Sequence, residues 1–437
     1  MAADPLTTGL SGLAAMFLLI ILQVPVGIAM GVIGVVGTGL IIGFEPALTL
    51  LATEPSSAMA AEGLAVIALF LLMGNLAHAG GLSDELYRLA YAFLGHRRGG
   101  LIFATIGACA GFGAICGSSV ATTATMARIA LPQMIERGYA RSLAAGAIAS
   151  GGTLGMIIPP SVVMILYAIL TENSIITLFL AAIVPGLLAV LFYFIAIGFV
   201  VRLFPETAPR GERLSWRQRG RETRNSWAVV LLAFSVSGGI YSGIFTVAEA
   251  AAVGASMALV ISLVRRRLTG QSFLASLGDT ASNTGLIFVI IIGASVFSYF
   301  ATLSGLPAAI VAWIEAIGLP PLGVIALLML FFLVLGSLFD TIAAMVLTLP
   351  FVYPLVIGLG YDPIWWGVIN IVVIELGMIT PPIGINVFVL HGMARKLPLK
   401  TIFRGVTPFL LADLVRLIVL ILFPGLSLWL PGFLGWL

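Results

Sequence analysis

The sequence predicts an all-α polytopic membrane protein made of two inverted repeats. Hydrophobic residues make up 60% of the 437 residues and charged residues only 9%, which is more apolar surface than a soluble core can bury. The basic residues fall in short clusters between apolar stretches, and motifs of the first half recur in the second at a constant spacing. Because a spanning helix needs about 20 apolar residues, the chain has room for ten or more.

The basic clusters predict the topology. Lys and Arg concentrate at 97–98, 137–141, 202–224, 265–267 and 395–404, and the positive-inside rule makes these segments cytoplasmic. The predicted spans are 10–26, 27–43, 63–80, 141–170 and 175–201 in the first half and 227–247, 248–264, 280–302, 363–394 and 406–424 in the second. Both termini are then outside. The first residues lack a basic n-region, so no cleavable signal peptide is expected.

One segment, 99–135, predicts a re-entrant hairpin. It is apolar, but basic clusters flank both of its ends and it is short for two full crossings. Its middle reads GAICGSSVATTAT, and small and hydroxylated residues suit a tip that turns back at Gly117-Ser118-Ser119. Bare backbone at membrane depth is tolerated only where protein or a cavity surrounds it. Two arms, 82–95 and 305–318, precede the hairpins and are expected along the membrane interface.

The second half repeats the first at a fixed shift of 222 residues. Pro132 maps to Pro354, LGMI at 154–157 to LGMI at 376–379, and the tip residue Ser118 to Asp340. The predicted organisation is a first repeat at 1–201, a cytoplasmic basic linker at 202–226 and a second repeat at 227–437, with its hairpin at about 322–356. Since five spans per half is an odd number, the halves have opposite orientations, the plan of secondary transporters.

Two long spans are predicted to be broken near the middle of the membrane. They read SGGTLGMIIPPS at 150–161 and ELGMITPPIGIN at 375–386, and paired prolines interrupt a helix. Free carbonyls and hydroxyls at such breaks suit Na⁺, whereas the positive helix ends suit a carboxylate. The predicted Na⁺ ligands are Gly117, Ser118, Ser119, Gly151, Gly152, Thr153, Asp340, Thr341, Gly377 and Thr380. The alternative is that these small residues serve helix packing.

Individual polar residues sharpen this prediction. A carboxylate in mid-membrane costs roughly 2.5–3.5 kcal/mol, so Asp340 is expected to ligate Na⁺ or to carry a proton. Glu375 lies at the second break and could instead cap the following half-helix. Asp413 and Arg416, spaced i, i+3, suit an internal ion pair. The predicted substrate-binding residues are Ser119, Thr122, Arg128, Pro159, Pro160 and Asn386. Arg128 could attract an anion or extend its side chain to the cytoplasm.

These motifs resemble the large membrane subunit of TRAP transporters, the tripartite ATP-independent periplasmic systems. The similarity covers nearly the whole chain and is strongest from Gly113 to Ser161. It implies a Na⁺-coupled importer of organic acids that works by an elevator mechanism in the bacterial inner membrane. It also implies two partners, a separate small four-helix membrane subunit and a periplasmic substrate-binding protein. Na⁺ is the only coupling ion or metal expected, with no organic cofactor, and the hairpin-tip residues, including Asp340, match the family's sites.

Other functions fit the sequence less well. A stand-alone ion-coupled anion carrier has the same charge pattern and symmetry, so it stays open as the alternative. An intramembrane hydrolase with Ser118 or Ser119 as nucleophile needs a His or Lys base, and the tip segment has none nearby. A Walker A motif is missing, which does not support direct use of ATP. With a net charge of +3, the chain is not expected to bind nucleic acid. The chain is therefore predicted not to be an enzyme.

Overall fold

The all-helical class is confirmed. The computed structural model describes residues 4–436, without the side chain of Glu62, and within that range it contains twenty-one α-helices and one short 3-10 helix. The described residues form no strand beyond an isolated bridge between Arg98 and Arg210. Helices are the expected solution, because backbone groups inside a bilayer have no water to bond to.

The first half contains ten helices up to the linker. They are α1 Pro5–Ile21, α2 Val26–Ile42, α3 Phe44–Ala60, α4 Glu62–Ala79, α5 Leu82–Leu94, α6 Gly100–Cys116, α7 Ser119–Glu136, α8 Arg141–Ile157, α9 Val162–Leu170 and α10 Ile175–Leu203. The linker then carries the 3-10 turn Pro205–Thr207 and α11 Trp216–Asn225. Ser215 and Gln218 form a capping box at the start of α11, so this basic segment begins as a well-capped helix.

The second half contains ten further helices. They are α12 Trp227–Tyr241, α13 Val247–Val264, α14 Gly270–Leu303, α15 Leu306–Ile317, α16 Pro321–Leu338, α17 Thr341–Gly358, α18 Pro363–Gly377, α19 Ile385–Met393, α20 Leu399–Leu422 and α21 Gly425–Phe433. The order of elements around the predicted hairpins and breaks is the same in both halves. Helix pairs α6–α7 and α16–α17 are each followed by an interrupted pair, α8–α9 and α18–α19.

Six of these helices are long and apolar enough to cross a membrane, and up to eight crossings result if two bent pairs count as one span each. The six are α10, α13, α14, α16, α17 and α20. Helices α1 and α2 have 17 residues, about 26 Å of rise, which is at the lower limit for a crossing. The protein is therefore a multi-pass membrane protein.

The structure adds helices that the hydropathy pattern does not indicate. Residues 44–60 were expected to lie outside as a connection, whereas they form α3, a mostly exposed helix that carries Glu45, Glu54 and Pro55. The shift of 222 places this segment opposite 266–282, where α14 begins at Gly270, ten residues before the predicted span. In the second half one 34-residue helix thus occupies the place of α3 and α4. Beyond the predicted last span, α21 continues the chain.

Glycine contacts fix the hairpins against the interrupted helices. A Cβ on Gly113 of α6 would lie 2.4 Å from the Cα of Gly155 on α8, and a Cβ on Gly377 of α18 would lie 2.6 Å from the Cα of Gly336 on α16. Such distances leave no room for any side chain, so each hairpin crosses its interrupted helix backbone to backbone. These two crossings hold each hairpin tip beside the break that follows it in the chain.

Candidate functional site

A cavity of about 330 Å³ separates the two hairpin tips. One part of its wall is the first tip, from Gly117 to Ala121, and another is the second tip, from Asp340 to Ile342. A further part of the wall comes from α4 and α14, through Leu71, Asn283 and Leu286. The size is at the lower end of the range of small-molecule sites. The structure thus brings both tips, which are 222 residues apart in the chain, to one site.

Both tips are built by the same local device. Gly117 takes a left-handed backbone conformation, φ 62°, which ends α6. Ser118 then caps α7 by accepting from the backbone N–H of Ala121 at 3.4 Å. Asp340 caps α17 in the same way, accepting from the N–H of Ala343 at 3.1 Å. The positive ends of α7 and α17 therefore both lie beside the cavity.

Side chains from the interrupted helices complete the wall. Met156 of α8 and Met378, which follows α18, line the cavity, and the shift of 222 relates them to each other. The hydroxyl of Thr341 donates to the sulfur of Met378 at 3.0 Å. In the first half Ser119 accepts a hydrogen bond of 2.6 Å from the amide of Asn386 on α19. The two halves therefore meet in direct contact at the first hairpin tip.

The described wall of the cavity carries an acidic side chain and no basic one. Asp340 is the one ionisable side chain among the described lining residues, and its exposure is intermediate. The other polar lining groups are Ser118, Ser119, Asn283 and Thr341. Oxygen donors of this kind suit a hard cation. An anion entering alone would face one carboxylate and no basic side chain of the described wall.

The predicted Na⁺ ligands fall into two groups. Gly117, Ser118, Ser119, Asp340 and Thr341 line the cavity, while Gly377 ends α18 and Thr380 follows it within the second break. Gly151, Gly152 and Thr153 do not reach the break, because α8 continues to Ile157 and the interruption lies at 158–161. The two pieces of this span meet at a bend of 42°. The prolines, and not the glycines, therefore set the position of the break.

The glycines and threonine of α8 make packing contacts instead. A Cβ on Gly151 would lie 2.8 Å from the sulfur of Cys109, and one on Gly152 would lie 1.9 Å from the hydroxyl of Thr123. The Thr153 hydroxyl donates to the carbonyl of Ser150 at 2.8 Å. These contacts agree with the packing alternative for this segment.

The predicted substrate-binding residues are also dispersed. Ser119 lines the cavity, and Asn386 is buried behind it, donating to both Ser119 and the carbonyl of Ala149. Thr122 is buried and donates to the carbonyl of Ser118 at 2.7 Å. Pro159 and Pro160 are buried in the first break, next to the tip but off the described cavity wall. Arg128 is exposed and lies away from the cavity.

Among the lining residues that were not predicted are Asn283, Met156 and Met378. Asn283 is a polar residue within the long apolar helix α14, which was a usable signal. Met156 and Met378 occupy equivalent positions in the repeated LGMI motif, but an apolar side chain gives no indication that it faces a cavity.

A second polar cluster is buried away from the cavity. Arg416 lies 3.0 Å from Asp413 and 3.9 Å from Glu375, and all three side chains are 1% exposed. Tyr193 donates a short hydrogen bond to Asp413. The cluster joins α10, α18 and α20. Glu375 does not cap α19, whose N-cap residue is Gly384.

Comparison with solved structures supports this fold. The crystal structure of the Alcanivorax borkumensis YdaH transporter, described as having an unusual topology, aligns with a TM-score of 0.62 and covers 90% of each chain. Its sequence is 17% identical, so the similarity concerns the fold.

Comparison with characterised sequences identifies the family. Residues 13–426 match the family described as tripartite ATP-independent periplasmic transporter, DctM component. The C4-dicarboxylate TRAP transporter large permease protein DctM of Pseudomonas aeruginosa is 36% identical over 90% of this chain and 94% of its own length. The sialic acid TRAP transporter large permease protein SiaM of Vibrio cholerae is 30% identical over 85% of this chain and 87% of its own. This chain therefore belongs to the DctM family of TRAP transporter large permeases.

Proposed function

We propose that this large permease imports an organic acid across the bacterial inner membrane together with Na⁺. The observation that carries the proposal is the cavity between the two hairpin tips, whose described wall has Asp340 as its sole ionisable side chain. The cavity combines side-chain oxygen atoms of the kind that bind hard cations with the positive N-terminal ends of α7 and α17.

Electrostatics favours coupling to a cation. A carboxylate substrate that enters the empty cavity approaches Asp340 without a compensating basic side chain, and like charges in a partly desolvated site repel. A Na⁺ ion bound at Asp340 and Thr341 removes this repulsion. The N-termini of α7 and α17 then attract the anion. Ion and substrate therefore bind cooperatively, which is the thermodynamic basis of symport.

The names of two relatives and the size of the cavity support this substrate class. The two relatives are named for C4-dicarboxylates and for sialic acid, both carboxylates. A cavity of about 330 Å³ accommodates a small organic acid. Hydroxyl and amide groups of Ser119 and Asn283 are available for the substrate's polar atoms.

The movement that we propose is of the elevator type. The hairpins and interrupted helices, joined by the Gly113–Gly155 and Gly336–Gly377 crossings, would move as a unit against α4 and α14. The small membrane subunit, as a separate chain, and a periplasmic binding protein complete the tripartite system, with both termini of this chain on the periplasmic side.

Uptake by proteoliposomes tests the proposal. The permease is reconstituted with its small subunit, and the binding protein and an inward Na⁺ gradient are added or withheld. Candidate acids are those that co-purify with the binding protein. We expect uptake that requires Na⁺ and both partners. Equal uptake by this chain alone would favour a stand-alone carrier, and uptake that persists when K⁺ replaces Na⁺ would contradict sodium coupling.

A further inference from the structure

A second concave site lies between the first half of α5, the ends of α11 and α13 and the start of α12, on the side that the basic clusters make cytoplasmic. Its volume is about 530 Å³, and its charged lining residues are Glu85, Arg88, Arg224, Arg265 and Arg267. Arg265 pairs closely with Glu85, whose side chain is 6% exposed. Arg88, Arg224 and Arg267 are exposed and form no ion pair among the residues that the structure describes. Three positive charges therefore converge on one concavity without compensation.

The shape of this site is held by contacts that do not involve the three free arginines. Arg265 donates to the carbonyl of Asn225 at 3.2 Å, and its guanidinium lies 5.6 Å from the ring centre of Trp227. The buried hydroxyl of Ser226 donates to the carbonyl of Glu85 at 3.2 Å. These contacts connect the middle of α5 with the start of α12 and the end of α13 beneath the cavity. The site is preformed and needs no ligand to assemble it.

An apolar stripe leads from the site along α12. Trp227 is 52% exposed, and Leu231 and Phe234, one and two turns further, are 41% and 76% exposed. Residues at this spacing share one face of a helix. A half-exposed Trp at the start of an apolar helix is typical of the boundary between water and hydrocarbon. The arginines therefore lie at headgroup level, and the stripe runs into the acyl region.

We propose that this arginine cavity binds the phosphate of an anionic phospholipid, with the acyl chains along the α12 stripe. Guanidinium groups bind phosphate oxygens in bidentate fashion, and basic pockets between membrane helices on the cytoplasmic side take anionic headgroups. A free phosphate ion would use the same arginines, but it would leave the stripe without a role. The bound lipid links the amphipathic helix α5 to α12 and α13.

The test is thermal unfolding of the purified permease in neutral detergent during titration with phosphatidylglycerol, phosphatidylcholine or inorganic phosphate. The triple variant Arg88→Gln, Arg224→Gln, Arg267→Gln leaves Arg265 in its pair with Glu85. The matched control is Arg213→Gln, Arg217→Gln, Arg221→Gln, which removes equal charge from exposed linker positions off the cavity wall. We expect saturable stabilisation of the wild type by phosphatidylglycerol alone, and half-saturation at least about tenfold higher in the cavity variant than in the control.

A second measurement uses fluorescence quenching by brominated phosphatidylglycerol. The part of the quenching that saturates with the lipid should be lost in Trp227→Phe, whereas quenching of other exposed tryptophans such as Trp313 and Trp429 should remain. This variant keeps all arginines, so the test does not depend on the triple variant folding. Equally weakened phosphatidylglycerol binding in both triple variants would show that general surface charge explains the effect, and it would overturn the proposal. Equal stabilisation by inorganic phosphate would overturn the assignment to a lipid.

Discussion

The charge of Asp340 is the part of the site that can be tested most directly. The substitution Asp340→Asn removes the charge but keeps a side chain that caps helices as well as aspartate does. The cap on the Ala343 N–H is therefore retained and α17 should still begin at Thr341. What changes is the electrostatic contribution to cation binding.

The size of the effect follows from the exposure of the site. Opposite unit charges about 4 Å apart attract by roughly 1 kcal/mol in water and roughly 4 kcal/mol at an effective dielectric constant of 20. Because Asp340 is only partly exposed and the cavity is lined by both hairpin tips and by α4 and α14, we expect a value between these limits. Na⁺ affinity should then fall by about tenfold to a few hundredfold.

The assay is Na⁺ activation of uptake in proteoliposomes, together with the Na⁺-dependent rise in the unfolding temperature of the purified protein. Replacing Na⁺ by K⁺ should lower the unfolding temperature of the wild type but not of Asp340→Asn. The matched control is Asp362→Asn, since Asp362 caps α18 through the N–H groups of Ile364 and Trp365 and lies off the described cavity wall. An unchanged Na⁺ dependence in Asp340→Asn would refute the reasoning.

Three further substitutions test close packing and buried polar contacts by thermal unfolding. Gly113→Ala should destabilise by about 1–3 kcal/mol through overpacking against α8, whereas Gly198→Ala, where a Cβ meets open space, should not; equal effects would contradict the crossing. Asp413→Asn leaves the Arg416 guanidinium, which is 1% exposed, without its nearest carboxylate. The substitution should lower the free energy of unfolding by about 3–5 kcal/mol, and an unaltered unfolding temperature would argue against the ion pair. Asn386→Leu removes the two buried hydrogen bonds that the amide donates to Ser119 and to the Ala149 carbonyl. It should lower the free energy of unfolding by about 1–3 kcal/mol, and an unchanged stability would show that the contact between the halves is dispensable.

The class of fold was predictable because it depends on composition and on the period of repeated motifs. The turn at Gly117-Ser118-Ser119 was visible in the sequence, since small and hydroxylated residues have strong local preferences. Helix α3 was not visible. Its charged and proline residues indicate a loop, and its partner α14 is remote in the chain.

The position of the first break shows another limit of sequence reasoning. Glycines at 151 and 152 weaken a helix locally, but close packing against Cys109 and Thr123 keeps it intact until the prolines. Tertiary contacts thus override local propensity. The place of Arg128 depended on which face of α7 is buried, and a half-apolar helix does not settle this.

The hydrogen bond between Asn386 and Ser119 also bears on how the protein is made. Its partners are 267 residues apart, and at about 5–20 residues per second the ribosome needs roughly 15–50 s to join them. During that interval the first hairpin is in the membrane without the amide that contacts its tip. The N-terminal half must therefore be stable in the membrane before its packing is complete. Its hairpin tip reaches its final contacts only when nearly the whole chain has been synthesised.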